Sequence, residues 1–163
     1  GAEGGAGNVI SGNSLVGIGL AQGSSGAIIE GNYIGTNSLG TGVLGNDIGI
    51  SVNFSPDNVI GGSEVGSGNV ISGNLSRTLF IFGVDASGNT IQGNFIGTDA
   101  TGTVTLENGR QGGVHMVDEG PLPFLTAKGV EYFQVAQSFF VQQQAIRPRT
   151  KSQGCDLVGT PQM

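Results

Sequence analysis

Few side chains in this sequence could carry out acid–base, nucleophilic or metal chemistry, and their placement decides what can be expected of them. The repeat-rich first two thirds offer Asp47, Asp57, Asp85 and Asp99, with Arg77 and Arg110 as the cations. Carboxylates hold calcium or act as bases when several converge on one strand face beside a cation. These four are scattered and share no repeat position. Asp99 in GTDATG stands where Asn37 stands in an earlier copy, which marks it as a turn residue. His115 follows Val114 in what reads as a strand and suits a surface or hydrogen-bonded role. Cys155 is the single cysteine, so no intrachain disulfide is expected, and nothing beside it marks a reactive thiolate. Gly61-Gly62 and Gly66-x-Gly68 precede no helical pattern and read as turns, not phosphate loops. Zinc spacing, a glycine–aspartate calcium repeat and a nucleophile elbow are all missing. The expectation is a chain with no catalytic, metal or cofactor-binding residues and no cofactor.

Composition narrows the partners. The 163 residues include 32 glycines, only 11% are charged, and the net charge is -6. Such a balance disfavours nucleic acid and anionic lipid surfaces. No apolar run is long enough to span a bilayer, so membrane insertion is not expected, and no signal-peptide pattern is present. The sequence opens in mid-pattern at Gly1-Ala2-Glu3, so upstream coils and any export signal are expected to lie outside it.

The elements that would position any site are announced by self-similarity. GNVISGN at Gly7 to Asn13 recurs letter for letter at Gly68 to Asn74, and GNYIGTNSLGTG from Gly31 returns as GNFIGTDATGTV from Gly93. Within these blocks lies a shorter motif, Asn-x-Ile-x-Gly-Asn, starting at Asn8, Asn69 and Asn89, with variants at Ala27 and Asn58. Its spacing suggests a coil near twenty residues, with one insertion and one shortened step. Alternation along a strand places Ile10, Ile29, Ile60, Ile71 and Ile91 inward, and Val9, Ser11, Glu30, Val70, Ser72, Thr90 and Gln92 outward. The Gly-Asn pairs that follow favour left-handed backbone and turn the chain, after which Ile34 or Ile96 points inward. Asparagines at one corner of successive coils are expected to stack and hydrogen-bond. Ordering one such coil costs roughly 30 kcal/mol, far more than its few Ile and Val recover alone, so coils must stack.

These motifs resemble the right-handed parallel β-helix repeats of bacterial secreted and surface proteins, over about residues 5–113. That resemblance implies an all-β, right-handed parallel β-helix (solenoid), in a fold family that includes pectin and pectate lyases, other polysaccharide-active enzymes and adhesins. It also implies an extracellular or cell-surface location, with polysaccharide or cell-surface glycan as candidate partners alongside neighbouring coils of a longer parent chain. Fold alone does not settle activity. A non-catalytic segment with a structural, adhesive or carbohydrate-contacting role is expected. The alternative is a fragment of a polysaccharide lyase or hydrolase whose active coils lie elsewhere.

After Gly113 the pattern stops, and residues 114–163 read as a non-repeat tail. Tyr132, Val135, Ala136, Phe139, Phe140 and Ile146 fall at helical spacing, which predicts a helix over about 131–146. It would act as a cap or mark foreign sequence.

Overall fold

A computed structural model describes residues 7–117 apart from residue 22. The proposed helix over 131–146 and Cys155 lie outside the described residues. Strands are short because a Gly-Asn or equivalent corner interrupts every few residues. The first coil contains β1 (Val9–Ile10), β2 (Val16–Leu20) and β3 (Ile28–Ile29), and the second β4 (Tyr33–Ile34), β5 (Ile48–Asn53) and β6 (Val59–Gly61). The third contains β7 (Val70–Ile71), β8 (Arg77–Phe82) and β9 (Thr90–Gln92), and the fourth opens with β10 (Phe95–Ile96) and β11 (Gln111–Val117). Strand β11 therefore crosses residue 113, where the repeat motif ends.

All pairings between these strands are parallel. They form three sheets, β1-β4-β7-β10, β2-β5-β8-β11 and β3-β6-β9, here named A, B and C. The chain is a parallel β-solenoid of about three turns. Its coil is longer than the near-twenty residues that motif spacing suggests. Val9 pairs with Tyr33, Tyr33 with Val70 and Val70 with Phe95, while sheet C advances from Ile28 to Val59 to Thr90. The short motif misleads because it marks two different corners and occurs twice in coils one and three. Asn8 and Asn69 precede sheet A, whereas Ala27, Asn58 and Asn89 precede sheet C. The long repeat is two coils, which is why Val9 and Val70, two steps apart, both lie in sheet A.

The inward assignments hold. Ile34, Ile50, Ile60, Ile71 and Leu79 are fully buried, joined by Ile29, Val52, Ile81 and Ile91, with Ile10, Ile18, Ile96 and Val114 packed against them. Two outward assignments do not hold as solvent-facing positions, since Val70 is 5% exposed and Ser72 is 0% exposed. Val70 is flanked in register by Tyr33 and Phe95. Ser72 is covered because coils two and four carry long loops, 36–43 and 98–105, where coils one and three have only Ser-Gly-Asn. Loop 98–105 closes over coil three, and the Ser72 hydroxyl donates to the Thr98 carbonyl at 2.7 Å. The Ser11 hydroxyl does the same to Thr36 at 2.7 Å one unit earlier. The loops also touch each other, since the Ala100 N–H donates to the Gly40 carbonyl at 3.0 Å.

The register predicts a ranked series. Ile71→Asp would bury a carboxylate among neighbouring coils and should lower unfolding free energy by several kcal/mol. Val9→Asp, at a position 47% exposed, should cost about 1 kcal/mol or less. Val70→Asp should fall with Ile71→Asp, and denaturant melts that place all three together would contradict the assigned faces.

Candidate functional site

Two constellations stand out, one inside the wall and one on its outer face. The inner one is a set of asparagine ladders. At the corner before sheet A, each Asn side-chain amide donates to the next coil's Asn Oδ1: Asn8 to Asn32 at 3.0 Å, Asn32 to Asn69 at 3.0 Å, and Asn69 to Asn94 at 2.9 Å. At the corner before sheet B, Asn13, Asn46, Asn74 and Asn108 are joined in the same way at 2.8, 3.0 and 3.3 Å. Before sheet C, Asn58 donates to Asn89 at 2.9 Å.

Each accepting Oδ1 also takes the backbone N–H of the asparagine below it, as Asn69 Oδ1 does from Asn32 at 2.9 Å. In Asn46, Asn69, Asn74, Asn94 and Asn108 the side-chain amide also reaches a strand-end carbonyl of an earlier coil, as from Asn69 to Ile29 at 2.7 Å and from Asn74 to Ile34 at 3.2 Å. A carboxamide has two donors and one acceptor oxygen, and in Asn46, Asn69 and Asn74 all of them are engaged. No buried side-chain polar atom is left unpaired among the described residues. Neither Asn46 nor Asn108 belongs to the short motif, so sequence reading missed them, although Gly45-Asn46 carries the same corner dipeptide.

The acidic residues are dispersed. Asp57 fills the pre-ladder slot that Gly88 fills one coil later, and both have positive φ, 57° and 69°. It is a left-handed turn residue, a conformation that aspartate tolerates better than most side chains. Asp47 lies at the sheet B corner, where its carbonyl accepts the N–H of Ser76 at 2.8 Å. Asp85 is exposed in the loop after β8. Asp99 organises loop 98–105, accepting the N–H groups of Thr103 and Val104 at 3.0 and 3.1 Å and the Thr101 hydroxyl. The Val104 N–H is the main influence holding its carboxyl below the ordinary aspartate range. Desolvation opposes it, and Thr101 and Thr103 assist. Asn37 performs the equivalent task in the earlier loop, accepting from Leu39 and Thr41 at 3.2 and 3.0 Å. No group of three or more His, Cys, Asp or Glu side chains is placed to hold a metal among the described residues.

The outer constellation lies on sheet B. In β8, Leu79 and Ile81 point into the core, so the half-exposed Phe80 and Phe82 point out. Phe82 meets Phe54 edge to face at 5.1 Å, and Phe80 stacks near Phe82 at 6.0 Å and near His115 of the next coil at 5.8 Å. The Arg77 guanidinium lies 4.2 Å from the Phe80 ring centre, and its Nε donates to Gln111 at 2.6 Å. Phe54 holds φ at 47°, an uncommon conformation for an aromatic residue, which sets its ring against Phe82 and Gly83. Sequence reading singled out Arg77 and His115 but not the phenylalanines between them. The alternation Leu79-Phe80-Ile81-Phe82 was the available signal.

The described residues thus define a parallel β-solenoid with asparagine-laddered corners and an aromatic and cationic ribbon on one sheet. No family model, no curated protein and no solved structure matches the chain.

Two outcomes follow. Asn69→Ala would orphan the backbone N–H and side-chain amide of Asn32 and the Ile29 carbonyl contact, and should cost about 2 to 4 kcal/mol in chemical denaturation, against almost nothing for Asn37→Asp. For Asp99 the folded-state pKa is depressed, so its stabilisation is present above the ordinary aspartate pKa and disappears as pH falls through the folded value. Asp99→Asn should therefore flatten the loss of stability below about pH 4, measured by melting temperature against pH. An unchanged acid slope would contradict the assigned hydrogen bonds.

Proposed function

We propose that this chain is a non-catalytic segment of an extracellular or cell-surface β-helix of the pectin-lyase-like kind, serving as a rigid scaffold that contacts carbohydrate. The ribbon of Phe54, Phe82, Phe80 and His115, edged by Arg77 and Gln111, carries this reading. Aromatic rings offer apolar surface to the C–H faces of pyranose rings, while neighbouring amide and guanidinium groups can hydrogen-bond hydroxyls. The ribbon is built on sheet B strands and on Phe54 directly after β5, next to corners held by the asparagine ladders. Such a platform is pre-ordered and loses little conformational entropy on binding. Among the described residues Asp47, Asp57, Asp85 and Asp99 lie in turns and loops, and no three acidic or metal-ligating side chains converge, which supports contact over bond cleavage.

Affinity electrophoresis against a panel of soluble polysaccharides tests the proposal. Retardation by at least one glycan is expected, weakened by Phe80→Ala or Phe82→Ala, with no release of reducing ends or unsaturated products. Absence of retardation across the panel, or depolymerisation that survives purification and is lost on Asp99→Ala, would overturn it.

A further inference from the structure

Resting on the carbohydrate-contact reading, we infer that the sheet B ribbon takes a saccharide chain bearing carboxylate or sulfate groups, with Arg77 as the principal anion-binding residue. Charge is distributed unevenly over this acidic chain. Within residues 7–117 the only arginines are Arg77 and Arg110, lysine does not occur, and the only histidine is His115. Arg77 opens β8, Arg110 immediately precedes β11, and His115 lies on β11. The basic residues of this span are therefore gathered on or next to adjacent strands of one sheet, and Arg77 and His115 touch the aromatic ribbon.

The Arg77 head is prepared for this task. Its Nε is taken by Gln111, and its plane is held at 4.2 Å from Phe80, so the side chain is fixed before any ligand arrives. The Nη groups have no partner among the described residues, and Arg77 forms no ion pair there. A guanidinium anchored through Nε and free at Nη presents the edge that carboxylate and sulfate oxygens match. His115 is in register with Phe80, and Gln111 with Arg77. A chain running along β8 would thus pass from a polar row, Arg77 beside Gln111, to an aromatic row, Phe80 beside His115. The asymmetry is functional in sign: a net charge of -6 repels anionic polymers in general, so basic groups that share one sheet among the described residues give orientation as well as binding.

The test uses polymer pairs that share a backbone and differ in charge: dextran sulfate against dextran, and carboxymethylcellulose against hydroxyethylcellulose. Binding of the full chain is measured by affinity electrophoresis and titration calorimetry. The charged member of at least one pair should bind about tenfold or more tightly than the neutral member, and which pair responds tells sulfate from carboxylate. Raising salt to about 0.5 M should weaken that binding, since surface charge contacts are screened. Arg77→Gln should lose about tenfold in affinity, and Arg77→Lys should recover part of it, with melting temperatures reported for both to separate binding from folding. Equal binding of charged and neutral members, lost on Phe80→Ala and indifferent to Arg77→Gln, would overturn this inference while leaving carbohydrate contact in place. Charged-polymer binding that survives Arg77→Gln combined with Arg110→Gln would also overturn it, placing the attraction on the basic residues after 117. Failure of all four polymers to bind, with a wider glycan panel equally silent, would remove the carbohydrate reading itself.

Discussion

The buried asparagine carboxamide at the coil corner is the interaction on which the rest of this structure depends. A solenoid wall must turn sharply several times per coil, and at each turn backbone groups leave the strand ladder without being returned to water. Burying such groups unpaired costs about 1 to 3 kcal/mol each. Asparagine resolves this because its side chain copies the peptide group: Oδ1 receives a backbone N–H and an amide from one neighbouring coil, and Nδ2 supplies the next oxygen and a strand-end carbonyl. Aspartate could accept but not donate, and glutamine would place the same groups too far from the corner. The same contact that satisfies one coil also holds its neighbour, so local turn chemistry and global stacking are a single constraint.

Glycine is the companion of that constraint. Gly93 precedes Asn94 with a φ of 65°, and a Cβ there would press on the Gly62 carbonyl. Removing side chains at the corner lets coils approach closely enough for carboxamides to meet. The high glycine content is therefore a consequence of close coil packing and not of chain flexibility. Apolar burial by the Ile stack then fills the interior that the corners enclose.

Much of this architecture is legible in the sequence, and what is not has physical causes. Ile10, Ile29, Ile71 and Ile91 were correctly faced because strand alternation depends only on neighbours along the chain. Coil length was misjudged because Asn8 and Ala27 begin look-alike motifs at different corners of one coil. Burial of Val70 and Ser72 could not be read locally, since it is supplied by Tyr33, Phe95 and the loop at Thr98. The same holds for the ribbon on sheet B. Phe54, Phe82 and His115 come from three successive coils and become neighbours only when the register is known. A site built across coils leaves no contiguous motif, whereas a ladder residue repeats its signature in each coil. The scaffold is thus more readable than the surface it presents, and the two are linked because corner ladders set the heights at which aromatic rings stack.

Native-state hydrogen exchange at the ladder backbone amides tests the central claim most directly. If Asn Oδ1 atoms hold the corners, the N–H groups of Asn32, Asn46, Asn58 and Asn69 should exchange only through cooperative opening, as slowly as strand amides such as that of Val70. Exchange at these four positions as fast as at the exposed turn around Glu64 and Val65 would show that the corners are not tied from coil to coil, and the account would fail.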